Sequence, residues 1–216
     1  MKSIMKLVAI DIRRNRYCLF LFPVIALFTV LEGFWLDEII LFSFIISIMF
    51  ATVFFETEHR DGMGFLYLLP VTKSERVCAR YLSGLFSICL GTITYFLSAA
   101  VIWSVTGKER FRDCMVIFGL GLLLISLEYG LCYLFDKMQK RWIDGIIMVS
   151  PQIVIVIGYF VLYSDLYHKL NGVLAIREWI QIHQMMLLNG SVVAGVLLWF
   201  ISMCISLKLY NKRDYI

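Results

Sequence analysis

The sequence is poor in charged residues: Asp, Glu, Lys and Arg make up 17% of it, against 61% hydrophobic residues. The net charge is only +4. The basic residues lie between apolar runs and form no single stripe, which excludes the usual signature of a nucleic-acid-binding protein. A soluble core of 216 residues cannot bury so much apolar surface. The shortage of charge therefore predicts an integral membrane protein.

Several chemical motifs are also missing. The six cysteines form no C-x-x-C pair, so we expect neither a disulfide framework nor a zinc site. The three histidines are scattered without an H-E-x-x-H motif, and the basic residues between Asp136 and Asp144 argue against an aspartyl pair. An intramembrane enzyme is therefore disfavoured, and we predict no catalytic or metal-binding residue. A phosphate-binding G-x-x-x-x-G-K-[ST] loop is absent too, so we expect no nucleotide or other cofactor on this chain.

Long apolar runs are what the sequence does contain. A helix needs about 20 apolar residues to cross the roughly 30 Å hydrocarbon core. Six segments qualify, at about residues 17–35, 39–55, 81–105, 114–135, 143–164 and 185–209. The first is long and lacks a small-residue cleavage site, so we expect it to stay as an anchor. We find no repeat and no hydrophilic domain, and predict one all-α transmembrane domain over residues 1–216.

The basic residues predict the orientation of these spans. Of the 20 Lys and Arg residues, fifteen fall in the N-terminal arm, the second and fourth connections and the tail. Basic residues are retained on the cytoplasmic side of a membrane. We therefore expect a multi-pass plasma-membrane protein with both termini in the cytoplasm.

The N-terminal arm, residues 1–16, has the pattern of an amphipathic helix lying in the membrane interface. Its basic side carries Lys2, Lys6, Arg13 and Arg16. Its apolar side carries Met1, Ile4, Met5, Val8 and Ile12, interrupted by Asp11 and Asn15. The alternative is a frayed basic tail that only sets the topology.

The connection between the second and third spans predicts a helix, a break and a second helix. Its middle is too apolar for a free loop, and a short helix over Gly62 to Leu69 should stop at Pro70. The residues Thr72-Lys73-Ser74-Glu75 then match a capping box that starts the next helix. A short apolar helix of this kind either seats in a groove on a soluble partner or rests on the lipid headgroups.

Two segments resemble a known family. The run Leu69-Pro70-Val71-Thr72-Lys73-Ser74-Glu75-Arg76-Val77, followed by Arg80-Tyr81, is similar to the hallmark of permease subunits of type 2 (ABC-2) ATP-binding cassette exporters. The tail Tyr210-Asn211-Lys212-Arg213-Asp214-Tyr215 resembles the ending of that family. The small size, without a large external domain, is similar to the short permeases of peptide exporters such as those for phenol-soluble modulins.

The resemblance implies how the chain would work. The segment Glu58 to Leu69 would be a coupling helix that docks on a cytoplasmic ATPase, present in two copies, which binds ATP and Mg²⁺. The implied contact residues are Glu58, Arg60, Asp61, Gly62, Phe65, Leu66, Leu69 and Pro70. A second permease subunit, expected to be a copy of this chain, would complete the exporter. The expected cargo is an amphipathic or antimicrobial-like peptide, or another hydrophobic molecule.

Glu128 is the clearest charge inside a predicted span, where charges are costly. It is either a carboxylate on the translocation path or the acceptor of an internal hydrogen bond between two helices.

The alternative function is an ATP-independent channel or secondary carrier, which would favour polar residues along several spans and an inverted repeat.

Small residues one turn apart predict close helix packing: Ser83, Ser87 and Gly91, then Ser126 and Gly130, then Gly190 and Ala194.

Overall fold

The computed structural model describes residues 2–14, 19, 21–35, 71–107, 109, 111, 113–135, 153, 176, 178, 179 and 182–211. These residues form five long α-helices and no strand. The helices are α1 (Lys2–Arg14), α2 (Leu21–Trp35), α3 (Lys73–Thr106), α4 (Asp113–Phe135) and α5 (Gln184–Asn211). The all-α prediction is confirmed for this part of the chain.

Three of the described helices are long and apolar enough to cross a membrane: Lys73–Thr106, Cys114–Leu134 and Met185–Tyr210. They coincide with the third, fourth and sixth predicted spans. A shorter apolar helix, Phe22–Leu31, lies inside the first. The predicted second and fifth spans, residues 39–55 and 143–164, lie outside the described residues. Six spans are compatible with this arrangement.

Helix α3 extends beyond the predicted third span, because it begins at Lys73, eight residues before Tyr81. Thr72 caps the helix in extended conformation, and the reciprocal capping box between Thr72 and Glu75 is formed as predicted. The helix ends where Gly107 adopts a left-handed conformation (φ 72°) and its N–H bonds to the carbonyl of Trp103. These 34 residues make a helix of about 51 Å, well beyond the thickness of the hydrocarbon core.

Contacts along α3 show in which direction the neighbouring helices run. Tyr81 near the start of α3 stacks with Tyr133 near the end of α4, at a ring-centroid distance of 6.3 Å. Farther along α3, Ile88 packs against Gly121 of α4, so these two helices are antiparallel. By contrast, α1 and α2 follow α3 in the same direction. Three hydrogen bonds mark this alignment: Ser3 to Glu75, Ser83 to Asp11 and Ser98 to the carbonyl of Ala26.

Helices α4 and α5 form the most extensive helix pair and are parallel. Gly119 of α4 lies against Ser191 of α5, and Gly130 lies against Ser202. Two spans that cross a bilayer in the same direction require an odd number of crossings between them. The parallel pairs α2 with α3 and α4 with α5 are therefore compatible with the predicted second and fifth spans.

Small residues bring α4 and α5 into close contact. A methyl group added at Gly195 would lie 2.6 Å from the carbonyl oxygen of Gly119, closer than carbon and oxygen atoms approach. The predicted stripe on α5 is therefore wrong by one residue. Gly190 is exposed, with nothing within 4 Å of its added methyl group. Ser191 and Gly195 contact α4 instead. The spacing of small residues alone does not say which face of α5 is buried, because that depends on how the partner helix packs against it.

One end of the bundle gathers α1, the start of α3 and the ends of α4 and α5. We call it the α1 end. Near it, aromatic residues dominate a buried cluster that joins α3, α4 and α5. Nearer the opposite end, Tyr95, Ala99, Cys114, Ile117 and Leu124 form a second cluster between α3 and α4. The outward faces are strongly apolar, with Met186 75% and Phe200 52% exposed, as expected for helices whose solvent is lipid.

Candidate functional site

The predicted ATPase-contacting residues lie outside the described part of the chain. They are Glu58, Arg60, Asp61, Gly62, Phe65, Leu66, Leu69 and Pro70. The structure does describe the residues that follow them, from Val71 through the start of α3, together with the helices packed around this start. The α1 end is therefore the candidate functional site.

The first turn of α3 is fixed by hydrogen bonds on both sides of the capping box. The backbone N–H of Thr72 donates to the Glu75 carboxylate (3.0 Å), and the backbone N–H of Glu75 donates to the Thr72 hydroxyl (3.3 Å). The hydroxyl of Ser3 on α1 donates to the same carboxylate. Glu75 precedes the predicted third span, and the bonds from Ser3 and Thr72 lower its pKa below the ordinary 4.5. One carboxylate thus caps α3 and binds α1.

The apolar face of α1 packs against α3. Leu7 and Val8 are buried with Ala79 of α3 in one cluster, and Ile4 and Ile12 border it. The helix predicted for the N-terminal arm is therefore present over Lys2–Arg14. Met5, which belongs to the predicted apolar side, is 61% exposed and lies outside this buried cluster. The register of α1 on α3 buries Leu7 instead, because residues 4, 7, 8, 11 and 12 share the face that meets α3.

Asp11, which interrupts the apolar pattern of α1, forms a buried ion pair with α3. Its Oδ2 lies 3.1 Å from Nη1 of Arg80, and both side chains are almost fully buried. The hydroxyl of Ser83 donates to the same oxygen over 3.2 Å. A carboxylate removed from water requires such partners, since an isolated buried charge is very costly. The polar interruption on α1 is therefore matched by polar residues of α3.

Tyr81, next to Arg80, connects α3 with α5 and, through a serine, with α4. Its hydroxyl lies 2.7 Å from the hydroxyl of Ser202 and 2.9 Å from that of Ser206, both on α5. Ser202 in turn donates to the backbone carbonyl of Ser126 on α4 (2.6 Å). The ring of Tyr81 is fully buried. Adjacent residues of α3 thus bind α1 on one side and α5 on the other.

The same tyrosine is the centre of an aromatic cluster. Its ring meets Tyr129 edge-on at 5.4 Å and Trp199 at 6.1 Å, and it stacks with Tyr133. Tyr129 approaches α3 closely because Gly84 has no side chain: an added methyl group there would lie 2.8 Å from the Tyr129 hydroxyl. Such offset and edge-on aromatic contacts favour a fixed geometry.

Glu128 is fully buried between the described helices. The next residue of α4, Tyr129, packs edge-on against Tyr81, which follows Arg80 of the ion pair. The carboxylate predicted from the sequence is therefore buried on α4. Its place on a translocation path stays a prediction.

Sequence reasoning missed the ion pair between Asp11 and Arg80. Asp11 was visible as an interruption of an apolar helix face, and Arg80 as part of a motif and of the basic-residue count. Neither observation says that the two residues meet, since 68 positions separate them along the chain. Among the described residues, no group of three or more His, Cys, Asp and Glu side chains has the arrangement of a metal site.

Comparison with known proteins identifies the family. The search of curated proteins and the search of solved structures gave no significant match. The profile of a family described as "ABC-2 family transporter protein" matches residues 6–211, nearly the whole chain. This match confirms the resemblance inferred from the residues around Pro70 and from the tail. The protein is therefore a multi-pass membrane protein that belongs to the ABC-2 transporter family, as a permease subunit of an ABC transporter.

Proposed function

We propose that the protein is the six-span permease of an exporter in the plasma membrane, in which two copies of this chain pair with two copies of a cytoplasmic ATPase. Family membership already implies an ABC ATPase partner, which is a separate subunit. ATP and Mg²⁺ bind that partner. The proposal adds the copy numbers, the direction of transport and the place where the ATPase docks.

The continuity of α3 is the observation that carries the proposed coupling. The helix begins three residues after Pro70 with a closed capping box and runs without a break for 34 residues, about 51 Å. An ATPase that displaces the segment Glu58 to Leu69 would therefore displace a rigid rod that reaches across the bilayer. ATP binding draws the two ATPases together, and α3 carries that movement to the opposite side of the membrane.

Charge supports placing the α1 end in the cytoplasm. The eight Lys and Arg residues that the structure describes lie at this end, whereas the connection between α3 and α4, at the opposite end, has three in its sequence. The eight are Lys2, Lys6, Arg13, Arg14, Lys73, Arg76, Arg80 and Lys208, and the three are Lys108, Arg110 and Arg112. Basic residues are retained on the cytoplasmic side. This distribution supports an orientation in which the start of α3 lies on the side where ATP is available.

The proposed cargo is an amphipathic peptide. The support is the resemblance of this short chain to the permeases of peptide exporters, together with strongly apolar outward faces that an amphipathic molecule can approach from lipid. Glu128 is the proposed carboxylate on the path, where it would meet a cationic group of the peptide as α4 moves.

Replacing Leu66 with arginine tests the docking site. A charge in the middle of the short apolar helix should prevent that helix from seating in the ATPase, so Leu66→Arg is expected to lose the copurifying ATPase and peptide-dependent ATP hydrolysis. Glu109→Arg is the matched control, since Glu109 is exposed at the opposite end of the bundle. Normal copurification and hydrolysis in Leu66→Arg would refute the assignment of the docking helix.

A further inference from the structure

The contact between α1 and α3 extends along both helices in register. Ser3 bonds Glu75, and eight residues later Asp11 accepts a hydrogen bond from Ser83. Eight residues of α-helix rise about 12 Å, so the two helices stay aligned over more than two turns. Leu7, Val8 and Ala79 fill the space between these polar contacts. The helix α1 is therefore fastened at two points with an apolar contact between them.

We propose that Asp11 and Arg80 are positioning residues that fasten α1 to α3, so that α1 and the first three turns of α3 move as one rigid body during transport. This inference rests on the proposed function for the movement itself. The inference adds that Asp11 and Arg80 pass this movement from α3 to α1, away from the contact with the ATPase.

The ion pair suits this role because of where it lies. Both side chains are almost fully buried, and their charged atoms are 3.1 Å apart, so solvent does not screen the attraction. Removing either partner would leave the other charge uncompensated. Separation of α1 from α3 would break the pair and leave each of these buried charges without the other. The pair therefore opposes sliding and lifting of α1 more strongly than apolar packing alone does.

Fastening α1 has a consequence for α2. Only six residues separate the end of α1 from the start of α2, and α2 packs along the same helix farther on, where Ser98 reaches the carbonyl of Ala26. A displacement of the start of α3 would carry α1 with it and pull on α2 through this short link. The ATPase would thus move two spans through one point of contact.

A crosslinking experiment tests the fastening in membranes that contain the full complex. Native cysteines are replaced, and Val8→Cys is combined with Ala79→Cys, since both positions share the buried cluster between α1 and α3. Copper–phenanthroline oxidation is expected to join the two thiols. Adding Asp11→Asn or Arg80→Gln should slow this reaction by about tenfold or more, because each leaves an uncompensated buried group. Arg13→Gln, which removes an exposed charge from α1, should leave the rate unchanged.

The exchange variant Asp11→Arg with Arg80→Asp provides the second arm. It restores the opposite charges with their positions reversed, and is expected to recover most of the crosslinking rate that each single variant loses. Rates in Asp11→Asn and Arg80→Gln equal to that of the parent would overturn the proposal. Equal losses in the single and exchanged variants would also overturn it, since a charge-independent packing defect would then explain them.

Locking α1 to α3 distinguishes rigid-body movement from separation. If the two helices move together, the crosslinked complex keeps its ATP hydrolysis and transport. Loss of transport on crosslinking, recovered by reduction, would show that the helices separate in the cycle and would refute the proposal. The absence of any ATPase from the complex would contradict the proposed function alone, because the crosslinking rates measure α1 docking without it.

Discussion

Replacing Gly195 with alanine should loosen the largest contact among the described helices. The new methyl group would lie 2.6 Å from the carbonyl oxygen of Gly119, roughly 0.8 Å short of an ordinary contact. The obstacle is backbone, so the two helices must separate. Overpacking of this kind costs about 1–3 kcal/mol. Alanine also favours a helix over glycine by about 1 kcal/mol, which partly offsets the loss.

Gly190→Ala is the matched control because Gly190 lies on the same helix with nothing within 4 Å of its added methyl group. Both variants gain the same helix propensity, so the difference between them measures packing alone. We expect Gly195→Ala to be less stable than Gly190→Ala by about 1–3 kcal/mol. For a chain of this length, that difference corresponds to roughly 2–12 °C in melting temperature.

In a background without the exposed Cys204, a thiol-reactive dye follows this unfolding in detergent, since Cys114 and Cys132 are buried and become reactive only when the bundle opens. Equal melting temperatures for the two alanine variants would refute the close contact between α4 and α5. A lower value for Gly190→Ala than for Gly195→Ala would refute the observed register of α5.

Three further outcomes follow from the α1 end. Tyr81→Phe removes a hydroxyl that bridges α3 to two serines of α5 and should lower the free energy of unfolding by about 1 kcal/mol in the same melting assay. Ser104→Ala, at an exposed position, is the control and should have no effect. Because its pKa is lowered, Glu75 contributes stability above about pH 4.5 that is lost as the pH falls through its folded pKa. The protection of α1 against hydrogen exchange, corrected for the pH dependence of the intrinsic exchange rate, should therefore decrease in acid for the parent but not for Glu75→Gln. Parallel pH profiles of protection in the two proteins would contradict this. In a cysteine-free background, a membrane-impermeant maleimide should label Glu109→Cys in intact cells and Lys6→Cys only after permeabilisation; the reverse pattern would invert the topology.

The sequence predicted most of the fold because its signals are local. Apolar run lengths placed α4 and α5 within one or two residues of their observed ends. The capping box at Thr72 and the end of α3 at Gly107 depend on neighbouring residues and on backbone conformation. The capping box placed the start of α3 correctly, whereas the predicted third span begins only at Tyr81, because hydropathy marks the part of a helix in lipid and not the part that extends beyond it.

The site was less predictable because it depends on contacts between distant segments. Three features all follow from how helices dock: the buried face of α1, the pairing of Asp11 with Arg80, and the shift from the predicted Gly190 and Ala194 to Ser191 and Gly195 on α5. A single sequence carries periodicity within each helix but no information on which neighbour a face meets. The motif around Pro70 identified the family without any of these contacts.

The composition of the purified complex tests the central claim most directly. Native mass spectrometry of the tagged chain, extracted gently from its own membranes, should show two copies of this 25.1 kDa subunit with two copies of a protein that carries a phosphate-binding G-x-x-x-x-G-K-[ST] loop. Leu66→Arg should release that protein while the paired permease remains. A chain that transports its cargo in reconstituted vesicles without ATP or any bound ATPase would contradict the account.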